Sequence, residues 1–478
     1  MVLILEGKKR VKMTMQDYYR YHFHYRKGQP NPFLCYGLLS SQAKVDARAA
    51  IDENRLWFIL KNQDKFRVEN LQGIADVVGR GCIDGSEMGK LTVLPASHTG
   101  GRRYMVQNYH DGVAICRVFG PPDFFITFTC NPNWEEITLG ILEPGQKPTD
   151  RADIVVRVYN MKLEELLDDL RSGKIFGPVA AGKLFSFGLS NPEQLEFETV
   201  LSNKSSNVLI NLPFHTTFLI AALHTVEFQK RGLPHAHIII WLVEDTTNPT
   251  PALIDHHISA EIPDPKEDPL GYALVAEHMI HGPCGVYNPN APCMKDGKCS
   301  KGFPKKIQEE TTIDQNGFAV YKRPDNGRFV IKGTHKLSNQ WVVPHNLYLL
   351  KKYQAHINIE WCNKGIFIKY LFKYVTKGPD CSKIYLQRLR NGEDVPEDEE
   401  TQARNEVKEY LDCRYICEQD ACWRIFGFDI HRHYPAVERL PVHLPYENNI
   451  NYDTNANMAE IVSDEFLKKN NVNRMVHC

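Results

Sequence analysis

The chain has 478 residues, enough for two or three modules with substantial cores, and its 57 Lys+Arg against 58 Asp+Glu leave a net charge of -1. That balance excludes a generic basic DNA coat, so any contact with nucleic acid must come from local patches. The 13 cysteines are an odd number spread along a long chain, and no run reaches membrane-spanning length. Both argue for reduced thiols in an intracellular globular protein rather than a secreted disulfide framework.

In chain order, Val2-Leu3-Ile4-Leu5 is too short for a signal sequence, and Lys8-Lys9-Arg10-Val11-Lys12 reads as a nuclear-import signal or a solvated terminus. From Ala43 to Val78 helix formers dominate, with Ile51, Leu56, Ile59 and Leu60 as a broken stripe, predicting an N-terminal helical module over 1–100. A helix is expected from Arg103 to Phe119, stopping at Gly120 and passing through Pro121-Pro122 into a strand, Phe124 to Thr129. Met161 to Leu170 is a further amphipathic helix.

The stretch from Glu227 to Trp241 is the most informative. His235 and His237 stand two apart at the head of a β-branched run, so on a strand both imidazoles share one face. Gly232 and Pro234 mark a hairpin turn, and Glu227 and Gln229 share a face of the preceding strand. Two imidazoles and one oxygen donor make a divalent-metal site with open positions, and spacing leaves Glu227 and Gln229 as equal candidates for the third ligand. The competing reading is a buried strand with incidental histidines.

Further on, His278, His281, Cys284, Cys293 and Cys299 fall in a Gly/Pro/Asn-rich segment with little apolar content. A structural zinc held by Cys284, Cys293, Cys299 and His281 would stabilise it; the alternative is free cysteines in a loop packed on the sheet. Lys369 to Gly378 reads as a helix ended by Gly378 with Pro379 beyond, placing Tyr370 and Tyr374 on one face and Lys369, Lys373 and Lys377 along an adjacent line. A tyrosine hydroxyl near pKa 10 becomes a useful nucleophile toward a phosphodiester when a metal polarises the phosphate. The lysines, and Arg231 in the hairpin turn, are candidate contacts to DNA phosphates. Asn391 to Glu400 is a solvated acidic loop opening a C-terminal helical extension over 391–478, and Cys413 and Cys417 are expected on a helix as small core residues.

His-hydrophobic-His followed by Tyr-x-x-x-Tyr resembles the two-tyrosine HUH endonucleases, and the details are similar to the helicase-like N-terminal region of Helitron transposases. The resemblance is carried by Phe124 to Trp134, Asp150 to Val155, Glu227 to Leu242, Gly282-Pro283-Cys284 through Gly302-Phe303-Pro304-Lys305, Lys369 to Gly378 and Ala421 to Phe428. It implies an α/β fold, with an HUH-type, mostly antiparallel sheet flanked by helices over 101–390. It also implies His235 and His237 as ligands of Mg²⁺ or Mn²⁺, with Glu227 or Gln229 as the third, and Tyr370 and Tyr374 as nucleophiles. The implied activity is nicking and strand transfer on single-stranded DNA in the nucleus. Relative to the family pattern, residues 183–223 read as an insertion, translated intron or decayed sequence. With no phosphate-loop motif, a helicase would be a separate partner or lost. The alternatives are a DNA-binding relic without turnover and a small-substrate metallohydrolase.

Overall fold

The computed structural model describes residues 2–3, 11–26, 28–29, 31–66, 68–79, 81, 92–141, 145–173, 175–176, 219–229, 232–242, 250–362, 405–411, 415–438, 449–451 and 457–463. The chain divides into two compact units, each discontinuous in sequence. One comprises Met1–Val45, Asp111–Val375 and Cys417–Ala436; the other Asp46–His110, Thr376–Ile416 and Val437–Cys478. Among the described residues no helix is long and apolar enough to cross a membrane.

The N-terminal region is helical, as its composition predicts: α1 is Met15–His22, α2 is Leu38–Lys61 and α3 is Arg102–Phe119. In the second unit, Leu56 and Ile59 from α2 pack with Leu94, Val407 and Tyr410. The Glu406 carboxylate accepts from Arg103 at 2.9 Å and from the Leu94 backbone N–H at 3.0 Å.

The first unit is built on a five-stranded, wholly antiparallel sheet. Its strands are β1 (Phe124–Thr129), β2 (Leu219–Phe228), β3 (Pro234–Leu242), β4 (Ile357–Trp361) and β5 (His431–Tyr434), in the spatial order β4-β1-β3-β2-β5. The mixed α/β class and antiparallel sheet agree with the sequence reading. Of the stretch 183–223, residues 219–223 lie in β2, where Ala222 and Leu223 pair with both β3 and β5; residues 183–218 lie outside the described residues.

The two faces of the sheet differ in chemistry. Register puts Phe124, Ile126 and Phe128 between Ile240, Ile238 and Ala236 of β3 and Trp361, Ile359 and Ile357 of β4; all are buried. Helix α4, Ala152–Arg171, covers this face: Tyr159 stacks on Phe128 at 5.4 Å and donates its hydroxyl to the Phe128 carbonyl at 2.8 Å. Helix α7 (Glu418–Phe426) packs against α4, with Trp423 against Tyr159 and Phe228. The segment between β3 and β4 includes two shorter helices, α5 (Pro269–His278) and α6 (Leu347–Tyr353), which contact each other. The start of α4 encloses a buried ion cluster. Arg151 grips Asp153 through two hydrogen bonds of 3.0 and 2.9 Å, with Lys44 Nζ 3.9 Å from the same carboxylate. Cys417 is buried, but as the N-cap of α7 rather than within a helix, and its Sγ accepts from the Asp420 backbone N–H at 3.4 Å. Cys413 lies outside the described residues.

Candidate metal centre

The opposite face of the sheet carries the polar members of the same strands. Glu227 lies directly across from His235 and Thr225 from His237, while Thr127 of β1 flanks His237 on its other side. Glu227 Oε2 stands 3.5 Å from His235 Nε2 and 3.9 Å from His237 Nε2, and the candidate ligand atoms of the three residues lie within 4.8 Å of one another. His237 is buried, its ring stacked on Phe125 at 5.4 Å, and its Nδ1 lies 3.3 Å from the Thr127 hydroxyl. A proton on Nδ1 donated to Thr127 leaves the Nε2 lone pair facing Glu227, the arrangement by which outer partners orient ligating imidazoles. Two imidazoles and a carboxylate on adjacent, hydrogen-bonded strands suit a divalent ion that keeps positions for substrate oxygens.

Gln229, the other oxygen candidate, lies past the last paired position, Phe228↔Pro234, and is exposed in the turn. Its backbone N–H donates to the Leu233 carbonyl at 3.0 Å, and its carbonyl accepts from Gly232 at 2.7 Å. Gly232 has φ +85°, a conformation that calls for glycine, and a Cβ there would have to displace the end of the Gln419 side chain. The hairpin expected from Gly232 and Pro234 is present. Arg231, Lys369, Tyr370, Lys373, Tyr374 and Lys377 lie outside the described residues.

The second group also converges. His281, Cys284, Cys293 and Cys299 bring their ligand atoms within 4.8 Å, with Cys299 Sγ 3.4 Å from His281 Nε2. A tetrahedral zinc with bonds of about 2.0–2.3 Å needs ligand atoms about 3.5 Å apart, so this contact fits. The approach is made by a two-residue turn, Asp296-Gly297, both at positive φ, joining the strands Met294–Lys295 and Lys298–Cys299. Burial first, and then the neighbouring thiols, push the Cys284 thiol up to about 12 without a metal's charge. At Cys299 burial acts upward too, but the backbone N–H groups of Phe303 and Lys301 prevail and hold the thiol below its ordinary value. His278 stands apart from the group, near Glu277.

Sequence reasoning missed the neighbours of the triad. Thr127, His356, Asn358 and Glu360 share its face and line one cavity with His237. Their signal was present as alternation: Ile126-Thr127-Phe128-Thr129 and His356-Ile357-Asn358-Ile359-Glu360-Trp361 each change character at every step. Tyr321 also lines this cavity, but burial pushes its hydroxyl far up, and the hydroxyl accepts from the Trp361 backbone N–H at 2.9 Å.

No curated protein matches the chain. Residues 18–183 match the family model described as the Helitron helicase-like domain at N-terminus. That span carries β1 and α4 and stops short of the histidine strand, so the triad stands on its geometry alone. Over those residues the chain is similar to the Helitron helicase-like N-terminal domain, the family its motifs resemble.

Proposed function

We propose that the chain is a divalent-metal-dependent endonuclease that nicks and rejoins single-stranded DNA through tyrosine nucleophiles, acting on chromosomal DNA in the nucleus. The observation that carries this is the Glu227–His235–His237 triad on the polar face of the sheet, beside an open cavity. Bound there, Mg²⁺ or Mn²⁺ would withdraw charge from the scissile phosphate. His235, His237 and Glu227 hold the ion, Glu227 being preferred to Gln229 because it alone lies opposite an imidazole in the register. Tyr370 or Tyr374 attacks phosphorus, forming the tyrosine O–P bond as the P–O3′ bond breaks. The freed 3′ oxygen takes a proton, and the bond energy stays in the phosphotyrosine, so the strand can be passed to another 3′-hydroxyl. Lys369, Lys373 and Lys377, with Arg231, hold flanking phosphates.

The deciding experiment offers labelled single-stranded oligonucleotides of random sequence with Mn²⁺ and looks for a covalent protein–DNA band. Changing both Tyr370→Phe and Tyr374→Phe is expected to abolish the band while retaining DNA binding, since only two hydroxyls are lost. Either single variant should keep cleavage or lose strand transfer alone. An adduct of undiminished yield in the double variant sinks the mechanism, and a folded wild type that binds DNA without ever forming one is the inactive relic.

Two further expectations follow from the geometry. Thr127→Val keeps the branched shape but removes the hydroxyl beside His237 Nδ1, and should weaken Mn²⁺ binding by about 10–100-fold in calorimetric titration. The His281/Cys284/Cys293/Cys299 group is proposed as a structural zinc site. Purified protein should contain one zinc equivalent that Cys293→Ser removes, and metal loss should open the segment to protease. A metal content unchanged by Cys293→Ser would return these cysteines to free thiols.

A further inference from the structure

From Tyr18 to Arg26 every residue is aromatic or basic, in a chain whose net charge is -1. Helix α1 and the turn after it divide this run in two. Tyr19 and Phe23 stand four apart on one side of the helix. Phe23 is fully buried, with the Tyr19 ring at 6.0 Å and the Phe33 ring edge-on at 5.3 Å. Tyr18 and Tyr21 lie on the other side, and Tyr25 follows in the turn; the three are 39%, 52% and 50% exposed. The core takes Phe23 and leaves three tyrosines in solvent.

Those rings stand among cations. Arg26 Nη2 donates to the Tyr21 carbonyl at 2.9 Å, and its guanidinium lies 3.7 Å from the centre of the Tyr21 ring. One face of that ring is thus backed by a fixed cation. Burial first, and then Arg157, Arg26 and Arg20, hold the His24 imidazole below its ordinary pKa, with Arg157 Nη1 3.1 Å from His24 Nδ1. The carboxylate acting the other way on His24 is Asp153, already gripped by Arg151. Asp17, the acid of α1, is in the first turn, where the Thr14 hydroxyl donates to it at 2.6 Å. Gln16 Nε2 donates to the Arg424 and Ile425 carbonyls at 3.0 and 3.1 Å, which seats α1 on the end of α7. Helix α7 touches α4 and Phe228 on the apolar side of the sheet, so this surface is separate from the triad.

We infer that α1 and the turn after it form a second contact for single-stranded DNA, with bases stacking on Tyr18, Tyr21 and Tyr25 and the backbone drawn to Arg20 and Arg26. Aromatic faces interleaved with guanidinium groups hold single strands without reading sequence, because every base has a π face and every nucleotide a charge. In a duplex the base faces are already stacked on one another, so the surface selects single strands. The choice of DNA as ligand rests on the single-strand nuclease reading, but the surface uses neither the metal nor Tyr370 and Tyr374.

The test uses the full chain without added Mn²⁺, and compares fluorescent oligo-dT with an abasic strand of equal length by anisotropy. Tyr18→Ala, Tyr21→Ala and Tyr25→Ala together should weaken oligo-dT by on the order of a hundredfold. The abasic strand and the salt slope should be unchanged, since no charge is lost. Phe at the same three positions should bind like wild type, because the ring and not the hydroxyl stacks. Combining Arg20→Gln with Arg26→Gln should lower the salt slope by about 0.7 for each phosphate no longer neutralised. Strands carrying 5-iododeoxyuridine, irradiated with wild type, should crosslink within residues 15–26, a readout that needs no variant. Undiminished oligo-dT binding by the folded triple alanine variant overturns the surface, as does the absence of crosslinks from 15–26. Loss of self-association with strand binding kept would make the face a contact between copies and overturn it too. Adducts in Mn²⁺ without those crosslinks leave the nuclease standing and the surface overturned; the crosslinks without adducts do the reverse.

Discussion

Glu227→Ala and His237→Ala are each expected to reduce covalent adduct formation by on the order of a thousandfold, the scale seen when a group stabilising transition-state charge is removed. Gln229→Ala should stay near wild type. The contrast follows from the register: Glu227 faces His235 across one strand pair, whereas Gln229 is exposed in the turn beyond it. Calorimetry should show Mn²⁺ binding abolished in the first two variants and kept in the third. Should Gln229→Ala fail while Glu227→Ala cleaves normally, the oxygen ligand has been assigned to the wrong residue; cleavage that persists in EDTA would remove the metal centre altogether.

The second large effect lies in the fold. Asp153→Ala should destabilise the first unit by about 3–5 kcal/mol, because it leaves Arg151 and Lys44 buried with no counter-charge. Thermal unfolding followed by near-ultraviolet circular dichroism would read the loss. Replacing all three ionic side chains with apolar ones of similar volume should restore most of it, since breaking a buried pair costs more than omitting it. A drop equal to that of an exposed Asp→Ala change, such as Asp168→Ala, would show that water reaches the cluster.

Asp153 also marks where the sequence was hard to read. Amphipathic spacing predicts a helix from Met161 to Leu170, but α4 begins at Ala152. Its first turns, Ile154-Val155-Val156-Arg157-Val158, are β-branched and favour a strand by local preference. Burial of Val155, Val156, Val158 and Tyr159 overrides that preference. By contrast, β3 and its turn were legible because a period of two, a glycine and a proline all agree. The triad was legible to within one choice, which needed the register: two residues on one strand face are equivalent until the partner strand is placed. The Cys/His clasp lacks a Cys-x2-Cys pair, so only folding shows its members meeting. Asn358 and Glu360 showed in the sequence only as alternation with Ile, which any half-exposed strand shares, so nothing there tied them to the triad.

The division of the sheet into an apolar and a polar face has a consequence for how such a chain ages. A one-residue slip of β3 would turn Ile238 away from α4 and drive the imidazoles toward it, so hydrophobic sorting helps to hold His235 and His237 where they are. The scaffold needs nothing from the chemistry it carries. Loss of the Glu227 carboxylate or the His235 imidazole would leave Phe124, Ile126, Phe128, Ala236 and Ile238 buried as they are on the other face. The proposed chemistry could therefore be lost with the apolar face intact, and pressure to remain folded would not protect it.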